Sequence, residues 1–211
     1  MVFSNTDLRP CLVSCSALKD EIQQLVRNGE LDVDLVFVSK FFHTDFGLLD
    51  KNLRKVLRHS LTRFPGRIIL VYGDLCLGLK NEMKKLADEF GVVKVDALNC
   101  TDCLLGGKGK FLDADPDHDL LILHPGMSDF FKHARELMRK EGFDENALKV
   151  LFEDIRGIVL YDTLGNSSKL IKEVKDLDTG LDILETKYVG CENVKNVIQE
   201  AIEKNKKTQD P

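Results

Sequence analysis

"RIILVYGDLCLG" (residues 67–78) begins with a continuous apolar run, Ile68 to Val71, between the Pro65-Gly66 punctuation and Gly73. An apolar run of that length, bounded by turn residues and rich in Ile and Val, reads as a strand buried on both faces, the signature of a parallel sheet. Its flanks agree. Upstream, "DFGLLDKNLRKVLRHSLTRF" (45–64) carries Leu49, Leu53, Val56, Leu57 and Leu61 on one helical face. Downstream, "NEMKKLADEFG" (81–91) is a shorter helix stopped by Gly91, before a further strand "VVKVDAL" (92–98).

The same alternation extends both ways. Strands are expected at "CLVSC" (11–15), "VDLVFVS" (33–39), "DLLILHPG" (119–126), "GIVLYDT" (157–163) and the more polar "LDILETKYVG" (181–190). Helices are expected in "ALKDEIQQLVRNG", "DFFKHARELMRKEG", "NALKVLFEDI", "SSKLIKEVKDL" and "ENVKNVIQEAIEKNKK". Strand and helix in turn predict an α/β fold: a mainly parallel β-sheet with helices on both faces, a Rossmann-like three-layer sandwich. The chain is read as a single α/β domain over 1–211 with a frayed tail from 204. The turn-rich "KGKFLDADPDHD" (108–119) is the one place where pseudo-halves, 1–113 and 114–211, could meet.

Composition narrows the function. The net charge is −5, with no tryptophan and three tyrosines, so neither the basic footprint nor the stacking platforms of nucleic-acid binders are present. No apolar run approaches the roughly 20 residues that span a bilayer, so no membrane association is expected. The opening residues lack a basic stretch followed by an apolar one, which predicts a cytoplasmic protein. Six cysteines in that compartment point to metal ligation, redox chemistry or burial rather than to disulfides.

Ligands of open parallel sheets bind beyond the carboxyl ends of the strands. Cys15 ends the first strand, His43 follows the second, Cys76 the third, and Cys100 and Cys103 the fourth; His124 closes the fifth. Thiolates with an imidazole are the ligand set of zinc and of iron–sulfur clusters. The expected ligands are therefore Cys15, Cys76 and Cys103, with His43 or Cys100 completing the set. Asp102, Tyr72 and His124 are the residues expected to orient or surround them. Cys11 reads as a buried strand residue, and Cys191 lies far along the chain from the others.

Two other readings stay open. Cys100-x-x-Cys103 could be a thiol–disulfide pair. "GGKGK" (106–110), with Gly106, Gly107 and Lys108, and the turn holding Asp162, Thr163 and Asn166 could bind an anion, making the protein a small-molecule module with inert cysteines. No Gly-x-Gly-x-x-Gly or P-loop spacing occurs, so no nucleotide fingerprint is present. Whether the protein is an enzyme stays undecided.

"LVSCSALKDEI", the His of "FFHTD", "ILVYGDLCLG", "DCLLGGKGKFL" and "LLILHPGMSDF" together resemble the family called domain of unknown function 1638, most specifically at Cys15, Tyr72, Gly73, Cys76, Asp102 and Cys103. The resemblance implies an origin in methanogenic archaea or anaerobic bacteria. It also implies an accessory place beside corrinoid-dependent methyl transfer, with a methyltransferase-system protein or a small-molecule ligand as partner. No Asp-x-His-x-x-Gly motif is present for binding a corrinoid through His.

Overall fold

A computed structural model of the chain describes residues 9–144, 150 and 152–209. All seven expected strands form: β1 (Cys11–Cys15), β2 (Asp34–Val38), β3 (Ile68–Val71), β4 (Val93–Lys94), β5 (Leu120–Leu123), β6 (Gly157–Asp162) and β7 (Ile183–Tyr188). Every pairing is parallel. The strands make two sheets rather than the one expected, in the orders β2-β1-β3-β4 and β5-β6-β7. The cause is local. β4 pairs through only two residues, and the chain then leaves the ladder for two short helices, α4 (Cys100–Leu105) and α5 (Lys110–Ala114), so β5 is not delivered to the β4 edge.

The first sheet is the middle of three layers. Leu12, Ile69 and Val71 face α1 (Lys19–Arg27) and the last helix, which cover one side. Val13, Ile68 and Leu70 face α2 (Phe46–Arg63) and α3 (Glu82–Phe90) on the other. Neighbouring residues serve opposite layers because successive strand side chains point to opposite faces. That is why β1 and β3 are buried along their whole length. In the smaller sheet, Ile158 and Leu160 pack with α7 (Ser167–Lys175) and Phe131 of α6 (Ser128–Lys140). Its opposite face, Ile122, Val159 and Tyr161, meets Leu105, Phe111 and Ala114. The α4–α5 segment is thus wedged between the two sheets.

The final helix, α8 (Glu192–Gln209), crosses back to the first sheet through Val194, Val197 and Ile198. The last helix of the distal part thus packs on the first sheet. Helix α8 runs to Gln209, and Asn205 on it donates to the Gly66 carbonyl at 2.9 Å. The helix expected over "NALKVLFEDI" falls mostly outside the described residues. Among those described, no helix is long and apolar enough to cross a membrane.

Candidate functional site

In the order β2-β1-β3-β4 the chain leaves β1 toward one edge and returns to the other, so the carboxyl ends of β1 and β3 flank a topological switch point, where a crevice opens. Cys15 is the last residue of β1. Its sulfur accepts the Ala17 N–H at 3.4 Å, which starts a tight 3-10 turn and holds the thiol at the strand end. Ser16 in that turn accepts the Lys40 N–H at 2.8 Å, tying it to the loop after β2.

That loop is a second 3-10 turn, Lys40–Thr44, capped by Ser39. His43 sits in it with Nδ1 3.1 Å from the Lys40 carbonyl oxygen. Since a carbonyl only accepts, Nδ1 carries the proton and the Nε2 lone pair stays available. The ring stacks on Tyr72 with centroids 6.0 Å apart.

After β3 the chain passes beneath Leu98 and Asn99. A Cβ on Gly73 would stand 2.3 Å from the Leu98 carbonyl, so only glycine fits. Asp74 N–H and Leu75 N–H donate to Ala97 and Leu98 carbonyls, both at 2.9 Å. This clamp presents Cys76 from the turn Asp74–Leu77 and sets the start of α4. Asn99 caps α4 by accepting the Asp102 N–H at 2.9 Å, and Cys100 and Cys103 lie on one face of it, one turn apart. His124, just past β5, accepts the Gly126 N–H at Nδ1 (3.3 Å), so its Nε2–H donates to the Cys100 sulfur at 3.4 Å.

These elements enclose one cavity of about 190 Å³. Cys15, Cys76, Cys100 and Cys103 line it together with His43, Tyr72, Lys40, Met127 and Phe130. Burial is the main force on the thiols. It pushes Cys100 up to about 11 and Cys76 to about 12, and Cys15 and Cys103 higher still, each of these three further raised by neighbouring cysteine charge. Burial also lowers His43 and brings His124 down to about 3, so its imidazole is neutral. The Tyr72 hydroxyl is buried beside Cys15 and Cys76 and has no partner of hydrogen-bond geometry.

The structure therefore gathers every expected ligand around one cavity. Among the described residues, however, no three Cys, His, Asp or Glu side chains already stand close enough to hold a metal ion. Asp102 works one step away. Fully buried, it accepts from Leu98 N–H (2.7 Å), Gly109 N–H (3.0 Å) and Phe111 N–H (2.6 Å), bracing the loop that carries α4.

The anion-site candidates lie elsewhere. Gly106 ends α4 with φ 107°, the Gly107 N–H returns to the Asp102 carbonyl, and Lys108 pairs with Asp74 at 2.7 Å. The amides of that loop which could greet an anion, at Gly109 and Phe111, serve the Asp102 carboxylate. In the second sheet, Asp162 accepts from Leu164 N–H, Gly165 N–H and the Ser167 hydroxyl, while the Thr163 hydroxyl donates to buried Glu21 at 2.7 Å. Asn166 opens α7 without a side-chain cap. It borders a separate polar cleft of about 530 Å³ between the two sheets, which shares Lys40 and Ala17 with the thiol cavity. Cys11 is buried outside the cavity, and Cys191 donates to the Thr163 carbonyl at 3.3 Å.

Sequence reasoning missed Lys40, Met127, Phe130 and Glu21. Only Glu21 left a signal: it shares the apolar face of α1 with Leu18, Ile22 and Leu25, where a carboxylate is out of place.

A family model described as "Protein of unknown function (DUF1638)" matches residues 37–190, a span that includes His43, Cys76, Cys100, Cys103 and His124 and leaves Cys15 outside. No curated protein and no solved structure matches the chain.

Proposed function

The chain belongs to the DUF1638 family, and from its cavity we propose that it is an iron–sulfur protein that takes up and passes on single electrons, with Cys15, Cys76, Cys100 and Cys103 holding the cluster. The observation that carries this reading is the meeting of four thiols from three separate strand ends around one cavity. A close-packed interior leaves few voids, and a ring of sulfurs around one suits an occupant that they bind.

The donor set, four cysteines with an imidazole alongside, is the one that holds iron–sulfur clusters. When bound, such a centre supplies a one-electron couple whose potential follows from its charge, its burial and the hydrogen bonds to its sulfurs.

The chain's own residues prepare the site. Desolvated thiols stay protonated, so assembly must release their protons, and occupancy rises with pH. Lys40, ion-paired with Asp129, lines the cavity and weakly favours the Cys15 thiolate. His43, with Nδ1 committed to a carbonyl, offers Nε2 as an alternative ligand. Raised thiols are the opposite of the lowered thiolate that a disulfide oxidoreductase uses at Cys100 and Cys103.

The test is iron and sulfide content and the absorption spectrum of protein reconstituted without oxygen, beside Cys15→Ala and Cys103→Ala. Near-stoichiometric iron in the wild type that falls in both variants supports the reading, and a colourless, iron-free wild type overturns it. One observation favours a second reading: apart from the sulfurs, much of the wall is apolar (Ala17, Leu18, Val71, Met127, Phe130). A metal-free protein that binds a small hydrocarbon in this cavity would make it a ligand-binding module instead.

A further inference from the structure

Tyr72 follows β3, is 2% exposed and lines the thiol cavity with its ring stacked on His43. Its hydroxyl is buried beside the Cys15 and Cys76 sulfurs and makes no hydrogen bond of full geometry. A buried donor without a well-placed acceptor is costly and uncommon, and one beside sulfurs that line a cavity is placed to donate to them once they carry charge.

A residue beside Cys100 shows what such a donor does here. His124 is fully buried, its tautomer set by the Gly126 N–H, and it aims Nε2–H at the Cys100 sulfur from 3.4 Å. Two buried uncharged donors thus stand beside sulfurs of the cavity, His124 already seated on Cys100 and Tyr72 next to Cys15 and Cys76.

We infer that the Tyr72 hydroxyl donates a hydrogen bond to a sulfur of the occupied centre and, with His124, sets the potential at which that centre takes its electron. The inference rests on the iron–sulfur reading and adds to it the device that tunes the couple. One electron enters and no proton moves: Tyr72 and His124 keep theirs and lean toward the sulfur that gains negative charge. Donors of this kind favour the reduced, more negative state, so they raise the midpoint potential.

The experiment compares reconstituted wild type with Tyr72→Phe and with Tyr161→Phe, a buried tyrosine of β6 that is absent from the cavity wall. Three quantities are read: iron content, midpoint potential by mediated titration, and melting temperature of the iron-free forms. The expected result is unchanged iron in all three, a lower potential in Tyr72→Phe alone, and an iron-free Tyr72→Phe that melts no lower than wild type, since the hydroxyl it lacks had no partner. Equal potentials at equal iron content would overturn the inference and leave the iron–sulfur reading standing. A marked fall in the iron-free melting temperature would make the hydroxyl structural and overturn it too. A wild type that takes up no iron overturns both at once.

Discussion

Gly126 rests on Ala17 so closely that a Cβ on the glycine would come within 1.8 Å of the Ala17 carbonyl oxygen. The contact joins the loop after β5 to the turn after β1, and so presses the smaller sheet against the rim of the thiol cavity. Met127, the next residue, lines that cavity. No movement of a side chain relieves a clash with backbone. Gly126→Ala should cost about 3 kcal/mol of stability by denaturant titration, at the upper end of overpacking effects. Gly91→Ala, at φ 60° with nothing within 4 Å of its Cβ, should cost only about 1 kcal/mol from backbone strain. Equal losses in the two variants would show that the seam is not tight.

Gly73→Ala drives a methyl into the Leu98–Asn99 backbone, whose nearest atoms stand 2.3 Å and 2.4 Å from the added carbon. That backbone starts α4, so Cys100 and Cys103 must shift with it. Thiol labelling of the native, metal-free protein should become several-fold faster than in the wild type. An unchanged labelling rate would mean that the clamp does not place these cysteines.

Asp102→Asn keeps the shape and swaps one accepting oxygen for an amide that cannot accept. Three backbone N–H groups depend on that carboxylate. The variant should lose about 2 kcal/mol, in the range for a buried group left unsatisfied. Hydrogen exchange at Gly109 and Phe111 should quicken ahead of the strands. Retained protection at both amides would rule out Asp102 as the brace of this loop.

The metal-free protein should show a stability plateau with two falling limbs. The thiols ordinarily ionise near 9.0 and are raised in the fold, Cys100 to about 11 and Cys76 to about 12. The unfolded chain loses those protons first, so stability is whole below pH 9 and drains away as pH climbs toward 11 and 12. His124 runs the other way: its ordinary value is 6.5 and the fold lowers it to about 3. Below pH 6.5 the unfolded chain gains a proton that the folded one refuses, so stability declines from there toward pH 3. Melting temperatures across the range check both limbs, and His124→Phe should flatten the acid one. A profile with no alkaline fall would contradict neutral buried thiols.

Much of the fold could be read along the chain. The apolar runs at Leu12, Ile69 and Leu121 mark strands because parallel strands are buried on both faces, and that needs no knowledge of neighbours. The break into two sheets could not be read, because "VVKVDAL" has strand composition throughout while only Val93 and Lys94 pair. What ends the ladder is the clamp of Asp74 and Leu75 onto Ala97 and Leu98, a contact across more than twenty residues. The anion reading of "GGKGK" met the same limit: its glycine amides look free until Asp102 is seen beneath them.

By itself the sequence determined the α/β alternation and the delivery of Cys15, His43, Cys76, Cys100, Cys103 and His124 to strand ends, since hydrophobic period and turn residues act locally. Only the tertiary structure decided that five of these line one cavity with His124 seated on Cys100, that the Tyr72 hydroxyl is buried beside Cys15 and Cys76, and that Glu21 and Thr163 bond across the seam. Strand order and close backbone approach settle such meetings, and both are properties of packing between distant segments that no local pattern records.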